Sequence, residues 1–359
     1  MCGIVGVIGP EAHARPDPVG AALAVLTPRG PDSGGRVHGA LGEMPLVLGA
    51  RRLALVDVPG GRQPVVRPSG SVLVMNGEIY DHDEHRRRLI ARGETFSTRG
   101  DAEVLAALLD VEGIDALSRI EGSWAFAFWK APVGPLWIGR DPWGVRPLAW
   151  ARTRGGLVFA STLDAILATG LVEPVADASA VADVLRDGVV LGSRSALVGV
   201  ERVEPGEVLR FDARLRLTRH TVAPREVPPA PGAGADPATD VLDALRAAVN
   251  DRLRLERPAA VFLSGGIDSA LIASFARDHP GVTAWTLAFP RHAEDPRRRI
   301  LGQGDLDVRD PQPLRRAPGA RALVGLGVPR EGERPRGDAR MVAGERRDER
   351  AVDAARQED

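Results

Sequence analysis

The chain has 359 residues, 44% of them hydrophobic, with one cysteine and a formal net charge of −1 at pH 7. Its length favours two domains over one, a single cysteine excludes an internal disulfide and fits a reducing compartment, and the balanced charge removes the electrostatic case for nucleic acid as a partner. No run is long and apolar enough to span a bilayer and no basic-then-apolar leader opens the chain, so no membrane partner and a cytoplasmic location are expected.

The first stretch, Met1-Cys2-Gly3-Ile4-Val5-Gly6, carries that one cysteine. Aminopeptidases remove an initiator Met that precedes a small side chain, and Cys is small. Cys2 would then hold a thiol and a free α-amine of ordinary pKa about 8. The amine can take the thiol proton directly or through a water, so one residue supplies nucleophile and base. The bland alternative is a cysteine at a frayed end. Residues 3–9 read as a short buried strand that would anchor the terminus.

A helical stretch over 19–26 leads to Arg29-Gly30-Pro31-Asp32, a loop by its Gly-Pro pair. Residues 46–57 are apolar and β-prone, with Arg51 and Arg52 in the middle. Both arginines facing solvent along an edge strand is one reading; a two-pronged pair between one of them and a substrate carboxylate is the other. Residues 71–80 read as strand, turn, strand, because Asn76-Gly77 between apolar runs is a strong hairpin signal. The Gly77 N–H and the Asn76 amide could at the same time face a developing oxyanion.

Residues 81–92 form a charged helix. His82, Asp83, Glu84 and His85 resemble metal ligands, but Arg86, Arg87 and Arg88 crowd the same turn, so a solvated face and no metal are expected. Asp101 is placed as the N-cap of the apolar-periodic helix that runs through 109; alternatively its carboxylate holds a substrate ammonium. Strands are expected over 124–129, 136–140 and 156–161, with a turn-rich connector at 141–148 and a short helix at 163–169. A helix and short strands joined by Glu204-Pro205-Gly206 follow over 177–211. Strands and helices come in runs, which points to an α+β first half with antiparallel sheets.

Residues 223–235, rich in Pro, Gly and Ala, are the clearest linker. An amphipathic helix over 236–256 repeats Leu242, Leu245, Val249 and Leu253 at helical spacing. Next come an apolar strand, the turn Ser264-Gly265-Gly266-Ile267-Asp268-Ser269, and a helix to about 277. The glycines let several N–H groups and the helix N-terminus face one point, an anion site fit for a phosphate chain, with Ser264 and Ser269 as added donors. The spacing is not that of a Walker loop. Residues 282–289 would be the next strand, parallel to the first across the helix, so this half starts as α/β.

Six segments resemble, in register, the glutamine-hydrolysing asparagine synthetases: Met1-Cys2-Gly3-Ile4, Arg29-Gly30-Pro31-Asp32, Arg52-Leu53-Ala54-Leu55-Val56-Asp57, Asn76-Gly77-Glu78-Ile79-Tyr80, Gly100-Asp101 and the 264–269 turn. The resemblance covers about residues 1–290. It implies a four-layer αββα glutaminase domain with an N-terminal nucleophile over 1–212, a linker over 213–235 and the beginning of a parallel-sheet ATP-pyrophosphatase domain over 236–290. Cys2 would attack the side-chain amide of glutamine, with Asn76 and Gly77 holding the oxyanion. Arg52 would bind the α-carboxylate and Glu78 and Asp101 the α-amine, with Leu53, Val56 and Gly100 completing the glutamine site. Ammonia would pass to a second site, where ATP adenylates the side-chain carboxylate of aspartate. There Ser264, Gly265, Gly266, Asp268 and Ser269 would hold the pyrophosphate with Mg²⁺ offsetting its charge, and Leu263 and Leu287 would flank the nucleotide. Glutamine, aspartate and ATP are thus the expected small-molecule partners, and a homodimer the expected assembly. Pro28, Thr162 and Asp164 depart from the family pattern without touching this chemistry.

From 291 to 359 there is no Phe, Tyr or Trp, periodicity fades, and Arg, Asp, Glu, Gly and Pro dominate. Such a segment is expected to be disordered. The resemblance implies a much longer, mostly helical continuation. A frame shift or an aberrant truncation near 291–297 is therefore expected, as an out-of-frame GC-rich gene would encode an Arg- and Pro-rich run; a genuine disordered tail is the alternative. Asparagine synthesis, glutamine hydrolysis alone, an inactive fragment, and amidation of another carboxylate in secondary metabolism all stay open on these grounds.

Overall fold

The computed structural model describes residues 1–224, 236–254, 256–277, 279–288 and 322–327. It divides into two compact units, residues 1–229 and 230–359.

In the first unit the chain runs β1 (Gly3–Ile8), α1 (Pro18–Val25), β2 (Ser33–Leu41), β3 (Met44–Arg52), β4 (Val65–Val66), β5 (Val72–Ile79), α2 (His82–Ala91) and α3 (Asp101–Val111). It continues with β6 (Gly122–Trp129), β7 (Leu136–Arg140), β8 (Ala149–Arg152), β9 (Leu157–Ala160), α4 (Leu163–Ala168), α5 (Ala178–Asp187), β10 (Val200–Arg202), β11 (Glu207–Phe211) and β12 (Leu217–Thr221). Among the described residues these strands form two six-stranded sheets, ordered β10-β8-β9-β1-β3-β2 and β12-β11-β7-β6-β5-β4. Each of their strand pairs is antiparallel.

The alternation of side chains along the strands sorts the core into three layers. Ile4 and Ile8 of β1, Leu46 and Leu48 of β3, and Val72 and Val74 of β5 meet Ala125, Ala127 and Ile138 between the sheets. The opposite faces of β5 and β6, with Met75, Trp124 and Phe128, pack on Val104, Leu105 and Leu108 of α3. On the other side, Val5, Val7 and Val47 pack on Val19 and Ala22 of α1 and Ile166 of α4. Helix, sheet, sheet, helix is the αββα sandwich implied by the family resemblance.

Several expectations need correction. Asn76 and Gly77 are not a hairpin turn. They lie inside β5, paired with Ala125 and Trp124 of β6. A Cβ on Gly77 would sit 2.1 Å from the Ser123 carbonyl oxygen, so glycine here serves a close strand approach rather than a turn. Arg51 and Arg52 are not on an edge: β3 is flanked by β1 and β2, and Arg52 is buried. The N-cap of α3 is Gly100, with Asp101 the first helical residue. His82 and His85 do not form a solvated face. His85 is buried against Asp81 Oδ2 at 3.1 Å, and His82 Nδ1 lies 2.8 Å from the Ile79 carbonyl oxygen. Strand β12 pairs along β11, so residues 217–221, assigned above to the linker, belong to the sheet. Residues 225–235 of that assignment lie outside the described residues.

The second unit contains α6 (Pro237–Arg252), β13 (Ala260–Leu263), α7 (Ile267–Ala276), β14 (Thr283–Ala288) and β15 (Ala322–Gly327). Along α6, Val249 is buried and Leu242 is exposed. Strands β13 and β14 are parallel, with Phe262 opposite Trp285, and α7 crosses between them. Strand β15 pairs antiparallel with β14. The expectation of disorder throughout 291–359 is thereby corrected at 322–327, where the apolar run Ala-Leu-Val-Gly-Leu-Gly carries a strand signature amid polar sequence. The remainder of that segment lies outside the described residues.

Candidate active site

One end of the inter-sheet layer opens into a cavity of about 160 Å³, lined by Cys2, Arg52, Asn76, Gly77, Glu78 and Asp101. Leu53, Val56 and Gly100, also expected at the site, border it as well. The arrangement follows from parity. Arg52 shares the face of Leu46, Leu48 and Ala50, and Asn76 and Glu78 share that of Val72 and Val74. Cys2 continues the face of Ile4 and Ile8, one residue before the β1–β3 register begins at Gly3 and Arg51.

Cys2 is 8% exposed. The Leu53 N–H donates to its sulfur at 3.4 Å, and its thiol reaches the Leu53 carbonyl at 3.7 Å. Arg29 Nε donates to the Cys2 carbonyl at 3.1 Å and fixes the backbone there. Burial pushes the Cys2 thiol above its ordinary pKa, while the Leu53 amide, the Met1 α-amine and Arg52 pull the other way. Burial also lowers the pKa of the Met1 α-amine, and Arg29 and Arg146 add to that.

Arg52 is held in place by the loop after β3. Its Nη2 donates to the Val56 and Asp57 carbonyls at 2.8 Å each and its Nη1 to that of Val58 at 3.2 Å. The Nε–H and one Nη1 hydrogen are not used by these carbonyls; they lie on different edges of the guanidinium, so a ligand carboxylate would meet one of them. Asp57 closes the same loop, accepting from Gly60 N at 3.2 Å and Arg99 N at 2.9 Å. Opposite, Glu103 accepts from the amides and hydroxyls of Ser97 and Thr98 at 2.7–2.9 Å, which shapes the wall that holds Thr98 and Gly100. Burial works against its charge, yet those bonds outweigh it and hold Glu103 below the usual carboxylate range.

Among the described residues that line the cavity, two buried groups lack partners: both ends of the Asn76 carboxamide and Oε1 of Glu78. Buried polar atoms left unpaired are costly, and in a cavity they mark where a ligand completes the set. The backbone adds a donor. Tyr80 N bonds to Glu121 O across β5 and β6, so alternation turns the amides of residues 75, 77 and 79 to the other edge of β5. There Met75 N donates to Gln63 Oε1 at 2.6 Å and Ile79 N to Asp101 Oδ2 at 3.0 Å. The Gly77 N–H between them faces that same edge, beside the cavity its residue lines.

Burial raises the Glu78 carboxyl to about 7, helped by the charge of Asp101 and opposed by Arg146. Asp101 is pushed up as well, by burial, against the pull of the Ile79 amide. Sequence reasoning missed Gln63, Glu103 and Arg146. The first two act through side-chain bonds to backbone that no spacing announces. Arg146 sat in a stretch read only as a connector; its Nε donates to Ser123 Oγ at 3.1 Å at the cavity wall.

In the second unit the 264–269 turn joins β13 to α7. Ser264 and Ser269 lie Oγ to Oγ at 3.1 Å, and Gly266 N donates to Ser264 Oγ at 3.4 Å. Gly265 has φ +85°, and no atom stands within 4 Å of where a side-chain methyl would project, so the bend is open above it. Asp268 is exposed in the first turn of α7 and Leu263 is buried at the end of β13. Leu287 lies on β14, paired with Leu323. Hydroxyls and main-chain amides at a helix start are the donor set phosphate oxygens require. Among the described residues, no helix is long and apolar enough to cross a membrane.

Comparison with known proteins gives two family matches, a glutamine amidotransferase domain over residues 1–220 and asparagine synthase over residues 240–301. The chain is 31% identical over 296 residues to asparagine synthetase [glutamine-hydrolyzing] 1 of Bacillus subtilis, covering 80% of this chain and 46% of that protein. It is 33% identical over 317 residues to a putative asparagine synthetase of Mycobacterium tuberculosis, covering 81% and 48%. Amidase chyE of Penicillium rubens is 30% identical over 264 residues, covering 72% and 38%. The chain spans a little under half the length of the two synthetases it matches.

Proposed function

Because this chain belongs to the glutamine amidotransferase domain family, we propose that its first unit hydrolyses glutamine with Cys2 as nucleophile and delivers the ammonia to an ATP-dependent amidation of aspartate. The observation that carries the proposal is the buried, unpartnered Asn76 carboxamide, set in one cavity with the Cys2 thiol and the outward Gly77 N–H.

After loss of Met1, the α-amine of Cys2 takes the thiol proton, and the sulfur attacks the side-chain carbonyl carbon of glutamine. The carbonyl oxygen becomes an oxyanion, held by Asn76 Nδ2–H and Gly77 N–H. The C–N bond then breaks, the protonated amine returns its proton to the leaving nitrogen, and ammonia departs from a thioester. Water, activated by the same amine, releases glutamate and restores the thiol. Arg52 receives the α-carboxylate, while Glu78 and Asp101 receive the α-ammonium.

For the second step, ATP activates the aspartate side-chain carboxylate as an acyl-adenylate, and ammonia displaces AMP. Ser264, Asp268, Ser269 and the amides of Gly265 and Gly266 would hold the departing pyrophosphate, whose charge Mg²⁺ would offset; Leu263 and Leu287 would flank the nucleotide. The asparagine synthase match and the named relatives support this half. Hydrolysis without transfer is the second reading, favoured by the clustering of the glutamine site residues within the first unit alone.

The test is ammonia release from glutamine by the purified chain beside Cys2→Ala, with and without ATP and aspartate. Ammonia from wild type only supports the glutaminase step, and asparagine with AMP supports the full reaction. Equal activity of the two proteins removes Cys2 from the mechanism.

A further inference from the structure

The open edge of β5 is built in an unusual way. The β4 register pairs Val65 with Leu73 and Val66 with Val72. Continued further, it would set Gln63 against Met75 and Gly61 against Gly77. The strand does not continue, since β4 begins at Val65. Met75 N–H is met instead by the side-chain oxygen of Gln63, at 2.6 Å. Gln63, Gly61 and Met75 all border the cavity.

We propose that Gln63 is a positioning residue for the oxyanion donor: its carboxamide oxygen occupies the Met75 amide and ends the sheet edge, leaving the Gly77 N–H as the open donor on that edge. The inference rests on the glutaminase reading above. Had the backbone carried on beside β5, an acceptor near residue 61 would have capped Gly77, as ladders do. Had nothing met Met75, two open amides would lie about 6.8 Å apart on one edge, and the substrate carbonyl would bind at either. Asp101 performs the matching task on the far side by taking the Ile79 amide. Two side-chain acceptors thus bracket one donor.

The experiment compares wild type, Gln63→Met, Gln63→Glu and Cys2→Ala as full-length chains. For each, kcat and KM for glutamine hydrolysis are measured, with inhibition by glutamate γ-semialdehyde and by glutamate. The aldehyde forms a thiohemiacetal whose oxygen sits where the oxyanion forms; glutamate reports ground-state binding. Gln63→Met is expected to lower kcat about tenfold or more and to weaken the aldehyde by a similar factor, while KM and glutamate inhibition change less than about threefold. Gln63→Glu retains an acceptor oxygen and is expected to recover most of the loss. Equal weakening of glutamate and aldehyde, or an unchanged kcat, would overturn the proposal, since a merely structural role loosens both ligands alike. Amide hydrogen exchange in wild type is the measurement that needs no variant to fold. Met75 is expected to be protected and Gly77 to become protected only with the aldehyde bound; the reverse order overturns the proposal. If wild type and Cys2→Ala release ammonia equally, the glutaminase reading itself has failed, an outcome distinct from an active wild type with an indifferent Gln63.

Discussion

Cys2 and Leu53 bind each other twice, the Leu53 amide donating to the sulfur at 3.4 Å and the thiol reaching the Leu53 carbonyl at 3.7 Å. The amide favours a thiolate and the carbonyl favours a thiol. Burial pushes the thiol upward, so the resting group is protonated and a base must act. Cys2→Ser keeps the size and the bonding pattern but makes the proton harder to remove. Its glutamine hydrolysis is expected to fall by about three orders of magnitude or more, with thermal stability within about 1 kcal/mol of wild type. Intact mass should show a chain lacking Met1 in the active preparation; full activity with Met1 retained would exclude the α-amine as base.

Asn76 carries a cost in the resting fold, since both ends of its buried amide are unpaired. Asn76→Leu, close in volume, removes that cost and removes a donor. Expected together are a kcat lower by about 10²–10³ and a stability unchanged or higher by about 1–2 kcal/mol. Measured side by side, a loss of stability would mean the amide is satisfied in the resting protein.

Glu78 predicts a pH dependence in glutamine binding. Its carboxyl stands at about 7, raised by burial and by Asp101. Below that pH it is protonated and offers no charge to an ammonium, so KM should rise as pH falls through about 7 and flatten above it. Proton release on binding near neutral pH should accompany this in calorimetry with buffers of different ionisation heat. The stability effect has the opposite sense. The folded state holds its proton more tightly than the unfolded chain between about 4.5 and 7, so this site's penalty, at most about 3 kcal/mol, appears as pH rises through that window. Glu78→Gln should lose the KM dependence and gain stability on the alkaline side of that window.

Gly77→Ala introduces a methyl group 2.1 Å from the Ser123 oxygen and 2.6 Å from Trp124 Cα, both backbone. Neither can yield as a side chain tip would. A destabilisation of about 1–3 kcal/mol is expected from overpacking, with a kcat loss larger than any change in KM because β5 moves off the oxyanion position. Denaturant unfolding and steady-state kinetics check both; a neutral substitution would show that β5 and β6 separate freely.

Glu103 gathers four hydrogen bonds from Ser97 and Thr98. Glu103→Ala should cost about 1–3 kcal/mol and raise KM more than it lowers kcat, since the cavity wall loosens while the nucleophile stays put. Its carboxyl is held low, so the wild-type contribution is present above about pH 4.5 and is lost as pH falls through the folded value. A mutant with unchanged KM would detach this wall from glutamine binding.

Much of the site was legible because its residue types are rare in their settings. A cysteine at position 2, an arginine in an apolar run and an Asn-Gly pair within hydrophobic sequence each demanded a reason. The strands β6 and β7 and the helix α1 were legible from apolar runs. Strand β2 was not: its residues, Ser33 to Leu41, are small and polar, because an edge strand with one half-exposed face needs little hydrophobicity. Asn76-Gly77 misled because the turn signal is local, whereas β6 arrives from beyond two intervening helices and overrides it. Asp101 was displaced from its capping role by the Ile79 amide, a partner 22 residues earlier that no helix rule includes. Gln63 escaped notice for the same reason.

The shared inward facing of Cys2, Arg52, Asn76 and Glu78 makes this site sensitive to counting. One residue inserted in β5 ahead of Asn76 would turn Asn76 and Glu78 toward α3 and bring Gly77 into the cleft. Two would restore the facing but slide the pair about 6.8 Å along the strand. Length differences among relatives should therefore fall in the connecting loops, and an alignment that opens a gap within β1, β3 or β5 has lost the catalytic register.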